Sequence, residues 1–127
     1  MSSVLPTLLL VDDEPRELSA LQRTVAHMEA TVRAAASAEE AKRLIRQERP
    51  DVVLADYFME PVDGLDLLLW VQREHPGVTC VLHTGRTDLR TRYGADIPVL
   101  GKPCAPEVLR DLLTQLFAQR SARPQRR

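Results

Sequence analysis

The sequence predicts an α/β fold in which one parallel, five-stranded sheet lies between layers of helices. Three observations predict it. Short runs that are almost entirely apolar recur along the chain, which is how strands buried on both faces read. Segments with apolar residues at helical spacing fall between them. Strand and helix patterns alternate five times, as in chains built from right-handed crossovers. The length of 127 residues suits a single domain.

Thr7-Leu-Leu-Leu-Val11 reads as the first strand and stops at Asp12-Asp13-Glu14. Pro15 suits the first turn of a helix, and Leu18, Leu21, Val25 and Met28 then recur on one face. Thr31–Ala35 predicts a weaker, edge-like strand. Ser37 followed three residues on by Glu40 forms a capping-box signature. The helix it opens turns Ala41, Leu44 and Ile45 inward and stops before Pro50. Asp51-Val-Val-Leu-Ala55 is the third strand and delivers Asp56. A loop with Pro61 and Gly64 leads into a helix carrying Leu65, Leu68, Leu69 and Gln72, which Pro76-Gly77 closes. Val78-Thr-Cys-Val-Leu82 is the fourth strand, followed by His83-Thr84. Ile97-Pro-Val-Leu100 is the short fifth, followed by Gly101-Lys102-Pro103. The last helix starts near Pro106 with an apolar stripe of Val108, Leu109, Leu112, Leu113, Leu116 and Phe117.

Gly85 to Gly94 holds few apolar residues and two glycines, so the fourth helix is expected to be shortened or irregular. The strand order expected is 2-1-3-4-5, a flavodoxin-like (βα)5 three-layer sandwich with its switch point between strands one and three. Residues 1–6 read as an N-terminal lead, 7–119 as the domain, and 120–127 as a polar, basic tail.

Composition narrows the function classes. A net charge of −1 argues against a dedicated nucleic-acid binder, and direct DNA binding is not expected. No stretch is long and apolar enough to cross a bilayer, so no membrane partner is expected. Met1-Ser-Ser-Val-Leu-Pro6 lacks the charged region and apolar core of a signal peptide, which makes a cytoplasmic location the expectation. Cys80 and Cys104 lie in unlike contexts without metal or redox spacing and are expected to be free thiols, Cys80 packing as a small hydrophobe.

The chemistry lies at the strand ends. Asp12 and Asp13 leave strand one, Asp56 leaves strand three, and Thr84 and Lys102 reach the same edge from strands four and five. An open α/β sheet binds ligands at that edge. Carboxylates that converge there repel one another and are stable together with a cation between them. A hard divalent ion held by one or two carboxylates and completed by water fits Mg2+, which accompanies phosphate chemistry. Lys102 adds a positive charge and Thr84 a hydroxyl. An aspartate nucleophile, a metal, a cation and a hydrogen-bond donor are what phosphoryl transfer to a carboxylate needs, so Asp56 is read as accepting a phosphoryl group.

Asp12-Asp13, Asp56, Met59, Asp63-Gly64, Thr84 and Lys102-Pro103, together with Val32-Arg-Ala-Ala-Ala-Ser-Ala-Glu-Glu-Ala41, resemble the receiver domain of two-component response regulators over roughly residues 7 to 118. The resemblance implies that Asp56 takes its phosphoryl group from a phosphohistidine on a histidine kinase, hybrid sensor kinase or phosphotransfer protein. It implies that Asp13, with Asp12 assisting, holds Mg2+ together with Asp56 and the backbone carbonyl of Phe58. Lys102 would pair with the phosphoryl oxygens, and Thr84 would move towards them as the switch. The protein would then catalyse only its own phosphorylation and slow dephosphorylation, rather than turn over a separate substrate.

The chain departs from the family pattern at four places. Glu60 stands between Met59 and Pro61. Val99 occupies the switch position, three before the lysine, where an aromatic is usual. The span from Thr84 to Lys102 is short. Cys104 follows Lys-Pro. The sequence around Lys102 resembles receivers partnered with hybrid sensor kinases. By the same analogy Phe58 and Arg86, two residues after Asp56 and Thr84, restrict the water that hydrolyses the acyl phosphate. The leading expectation is a stand-alone receiver that signals to a downstream protein through surface contacts, with homodimer formation left open. The alternatives are a receiver-like interaction module working without phosphorylation, and an aspartate-nucleophile phosphatase. The phosphatase is disfavoured because Phe58 stands where such enzymes usually carry a second aspartate.

Overall fold

A computed structural model describes residues 5–85 and 97–122, with side chains described up to residue 120. In chain order the elements are β1 (Thr7–Val11), α1 (Pro15–Val25), β2 (Thr31–Ala35), α2 (Ala38–Gln47), β3 (Val52–Asp56), α3 (Gly64–Glu74), β4 (Thr79–Thr84), β5 (Val99–Gly101) and, numbered here as α4, the last helix (Pro106–Ala122). The sheet runs β2-β1-β3-β4-β5, and every neighbouring pair is parallel. The fold class and strand order are those expected. The segment where a short or irregular fourth helix is expected, with Arg86, Arg90 and Arg92, lies outside the described residues, as do most of the lead and of the tail.

Alternation along the strands divides the interior in two. Leu8, Leu10, Val52, Leu54 and Val81 face Leu21 and Val25 of α1 and Leu109, Leu113 and Leu116 of α4. Leu9, Val11, Val53, Ala55, Cys80 and Leu82 face Ala38, Ala41 and Ile45 of α2 and Leu65, Leu67, Leu68 and Val71 of α3. The strands are apolar on both faces because both faces are covered. Cys80 is buried and Cys104 half-buried, both as free thiols.

Local chemistry fixes the helix starts. Ser37 Oγ accepts from the Glu40 amide at 3.0 Å, and Glu40 Oε1 accepts in return from the Ala36 amide at 2.8 Å. Asp63 caps α3 through the Asp66 amide at 2.8 Å. On α3, Leu65, Leu67, Leu68 and Val71 are buried, whereas Leu69 and Gln72 are only half-buried. The stripe on α4 is narrower than expected, because Val108 in its first turn is 53% exposed. β4 runs two residues beyond its apolar run, through His83 and Thr84, because β5 pairs with it there, His83 against Leu100 and Thr84 against Gly101.

Candidate active site at the carboxyl edge of the sheet

Strand alternation aims the site. Asp12 follows Leu8 and Leu10, Asp56 follows Val52 and Leu54, and His83 follows Val81, so all three share the face covered by α1 and α4. Asp12 and Asp56 are buried, and Asp13 is exposed beside them. One carboxylate oxygen from each of the three lies within 4.8 Å of the others. Asp12 Oδ1 accepts from the Glu14 amide at 2.9 Å, while Oδ2, also buried, accepts no hydrogen bond among the described residues.

Lys102 enters from the end of β5. Its Nζ donates to Asp56 Oδ1 at 2.6 Å and to Glu17 Oε1 at 2.6 Å, and stands 4.0 Å from Asp12 Oδ2. Its amide donates to the Thr84 carbonyl at 3.1 Å, which fastens the lysine to the end of β4. Thr84 itself is fully buried. The loop after β3 is held by the Gly64 amide donating to the Tyr57 carbonyl at 2.9 Å. Gly64 presses against the main-chain carbonyl of Asp56 so closely that a Cβ would overlap its oxygen. The Glu60–Pro61 and Lys102–Pro103 peptides are cis.

Charge in this cleft is unbalanced. Burial pushes Asp12 up to about 7, with Asp56 and Glu17 adding to the rise and the Glu14 amide and Lys102 opposing it. Burial likewise raises Asp56, against the hydrogen bond and charge of Lys102. Burial works against the Lys102 ammonium, yet its bonds to Asp56 and Glu17 outweigh that and raise its pKa. Glu17 is lowered chiefly by the hydrogen bond from Lys102. One ammonium cannot balance Asp12, Asp13, Asp56 and Glu17 together. With Oδ2 of Asp12 buried and unsatisfied, the donor set fits a hard divalent cation.

The sequence-predicted residues fall into two groups. Asp12, Asp13, Asp56 and Lys102 come together, and Thr84 adjoins them through the Lys102 amide. Val99 is half-buried against the α2–α3 cluster and pairs with Leu82, away from the carboxylates. The Phe58 ring is 59% exposed and stands edge-on to Tyr57 with centroids 4.9 Å apart.

Sequence reasoning missed Glu17 and read His83 as a packing residue, which its burial bears out. Glu17 lies in the first turn of α1, four residues after Asp13, a spacing that brings it back towards the strand edge. His83 is buried, neither ring nitrogen has a hydrogen-bond partner among the described residues, and burial followed by the Lys102 charge pushes its pKa down to about 4. Beside the carboxylates a groove of about 570 Å3 opens between α1 and the start of α4, lined by Glu17, Leu21, His83, Lys102, Cys104 and Leu109 among others.

Comparison with known proteins gives a consistent answer. The pattern of the response regulator receiver domain matches residues 8–114. The chain is 33% identical over 87 residues to the response regulator protein PilR of Pseudomonas aeruginosa, covering 68% of this chain and 20% of that protein. It is 35% identical over 88 residues to the hydrogenase transcriptional regulatory protein HoxA of Cupriavidus necator, covering 69% and 18% respectively. The chain thus spans about a fifth of the length of these two curated relatives. Among solved structures, the signal receiver domain of an HD domain-containing protein from Pseudomonas fluorescens superposes with a TM-score of 0.87 at 27% identity, covering 96% of this chain and 93% of that one. A CheY-like receiver domain protein from Methanospirillum hungatei shares the fold with a TM-score of 0.83 at 24% identity, over 93% and 98%.

Proposed function

Since the chain belongs to the receiver-domain family of two-component response regulators, we propose that Asp56 is its phosphoacceptor, supplied by a histidine kinase or phosphotransfer protein. The observation that carries this reading is the hydrogen bond from Lys102 Nζ to Asp56 Oδ1 inside a trio of converging carboxylates. A carboxylate oxygen of Asp56 attacks the phosphorus of a phosphohistidine. The P–N bond breaks as the P–O bond forms, and the imidazole leaves with its electron pair. Lys102 then follows the phosphoryl oxygens and offsets the added charge. Asp12, Asp13, Asp56 and the Phe58 carbonyl would hold Mg2+, which when bound neutralises charge on the transferring group. Thr84, tied to Lys102 through the main chain, is the proposed switch. Output passes through protein–protein contacts whose geometry depends on the phosphoryl group.

Incubation with Mg2+ and acetyl phosphate, followed by intact-protein mass measurement, tests the reading. One phosphoryl group is expected on the wild type and none on Asp56→Asn. An unmodified wild type would favour an interaction module working without phosphorylation, for which Val99 in place of an aromatic is the supporting feature. Sustained release of phosphate over many turnovers would favour a phosphatase.

A further inference from the structure

Glu17 joins the site although it is not among the motif residues that identify the family in this sequence. Its carboxylate and that of Asp56 share one ammonium, each 2.6 Å from Lys102 Nζ. In the resting site Lys102 is therefore shared, and Glu17 is the partner that can leave. Its side chain is half exposed, on the first turn of α1 at the mouth of the groove, whereas the Asp56 side chain is 7% exposed.

A phosphoryl group on Asp56 changes this balance. It brings up to about two negative charges and three acceptor oxygens to the place where one carboxylate stood. The Glu17 carboxylate, about 5 Å or less from Asp56 Oδ1 across the lysine, then faces like charge in a partly desolvated cleft. The ammonium cannot serve both partners at full strength.

We propose that Glu17 is a positioning residue that competes with the phosphoryl group for Lys102: it holds the ammonium in place in the resting protein and gives it up when Asp56 is phosphorylated. The inference rests on the reading of Asp56 as the phosphoacceptor. It makes the phosphorylated state less favourable than the remaining residues of the site would allow. It also gives α1 a contact that differs between the two states, on the wall of the groove.

Beryllofluoride, an acyl-phosphate mimic, tests this at saturating Mg2+, with the adduct followed by fluorine NMR in wild type, Glu17→Gln, Glu17→Ala and Asp56→Asn. Removing the competing charge is expected to tighten adduct formation in both Glu17 variants by roughly threefold to tenfold, a range that allows for the exposure of the side chain. In the resting protein the ammonium protons of Lys102 are expected to exchange with water faster in Glu17→Gln than in wild type. A purely structural role for Glu17 would weaken the adduct or leave it unchanged. A wild-type adduct with no tightening in the variants overturns the role of Glu17 alone. Absence of an adduct in the wild type overturns the reading of Asp56 and the competition together.

Discussion

Gly64 packs against the main-chain carbonyl of Asp56, leaving no room for a Cβ. The obstacle is backbone at the end of a buried strand, so it cannot move aside as a side-chain tip could. Gly64 also opens α3 and donates to the Tyr57 carbonyl. Gly64→Ala is expected to lose about 2 kcal/mol or more of stability, seen as a lower urea midpoint at unchanged slope. A midpoint equal to wild type would show that the loop can yield.

The carboxylates should make stability depend on pH and on magnesium. Asp12 has a folded pKa of about 7 against a reference of 3.8, so the folded state holds its proton more tightly. Its contribution is present below 3.8 and is lost as pH rises through about 7. Asp12→Asn should therefore raise the melting temperature of the metal-free protein at about pH 8, by roughly 3–6 °C, and change it little near pH 4. On the proposed reading Mg2+ would be held by the ionised carboxylates, so it should stabilise the wild type more at about pH 8 than at about pH 5.5. A magnesium-induced rise that is the same at both pH values would contradict this account.

His83 works in the opposite direction. Its folded pKa is lowered to about 4 from 6.5, so between those values the unfolded chain binds the extra proton. Its contribution is present above 6.5 and is lost as pH falls towards about 4. Replacing His83 with leucine should reduce the slope of unfolding free energy against pH in that window by up to about one proton, as measured by urea titrations at a series of pH values. An unaltered slope would mean that the imidazole is not held neutral.

Phe58 keeps a large exposed ring two residues from Asp56, braced edge-on by Tyr57. On the proposed reading, a ring of this size two residues from the acyl phosphate would restrict the attacking water. Phe58→Ala is expected to shorten the phosphoryl lifetime a few-fold, followed by loss of the label over time; a lifetime equal to or longer than wild type would remove Phe58 from that role. The companion expectation for Arg86 concerns a residue outside the described region.

Much of this was legible in the sequence because parallel strands carry their carboxyl ends to one edge. An apolar run that stops on Asp12 or Asp56, or just short of Thr84, therefore announces both a strand and a site. Glu17 was not legible in the same way. Its contact with Lys102 spans 85 residues and depends on the lysine, just past the edge strand β5, reaching back to the first turn of α1. The consecutive leucines 67 to 69 left the phase of α3 ambiguous, and Asp63 capping with the tight seat of Gly64 settles it. His83 looked like the residue after a strand because it is polar, yet pairing with β5 carries β4 past it. Val108 fits the helical period of its stripe but lies in the first turn of α4, short of the sheet's cover.

The division of the interior by the sheet has a consequence for how disturbances combine. Val25 lies in the cluster under α1 and α4, and Ile45 in the cluster under α2 and α3, with the main chain of the strands between. Truncations at two such positions should be nearly independent, their effects adding to within about 0.5 kcal/mol. At the edge where Asp56 sits, Asp12, Asp56 and His83 alternate with residues of the compartment of α1 and α4, whereas Thr84 alternates with Cys80 and Leu82 of the other. A charge added on Asp56 therefore stands on the side of α1 and α4, while the neighbouring Thr84 gives the opposite layer a side chain at the same edge.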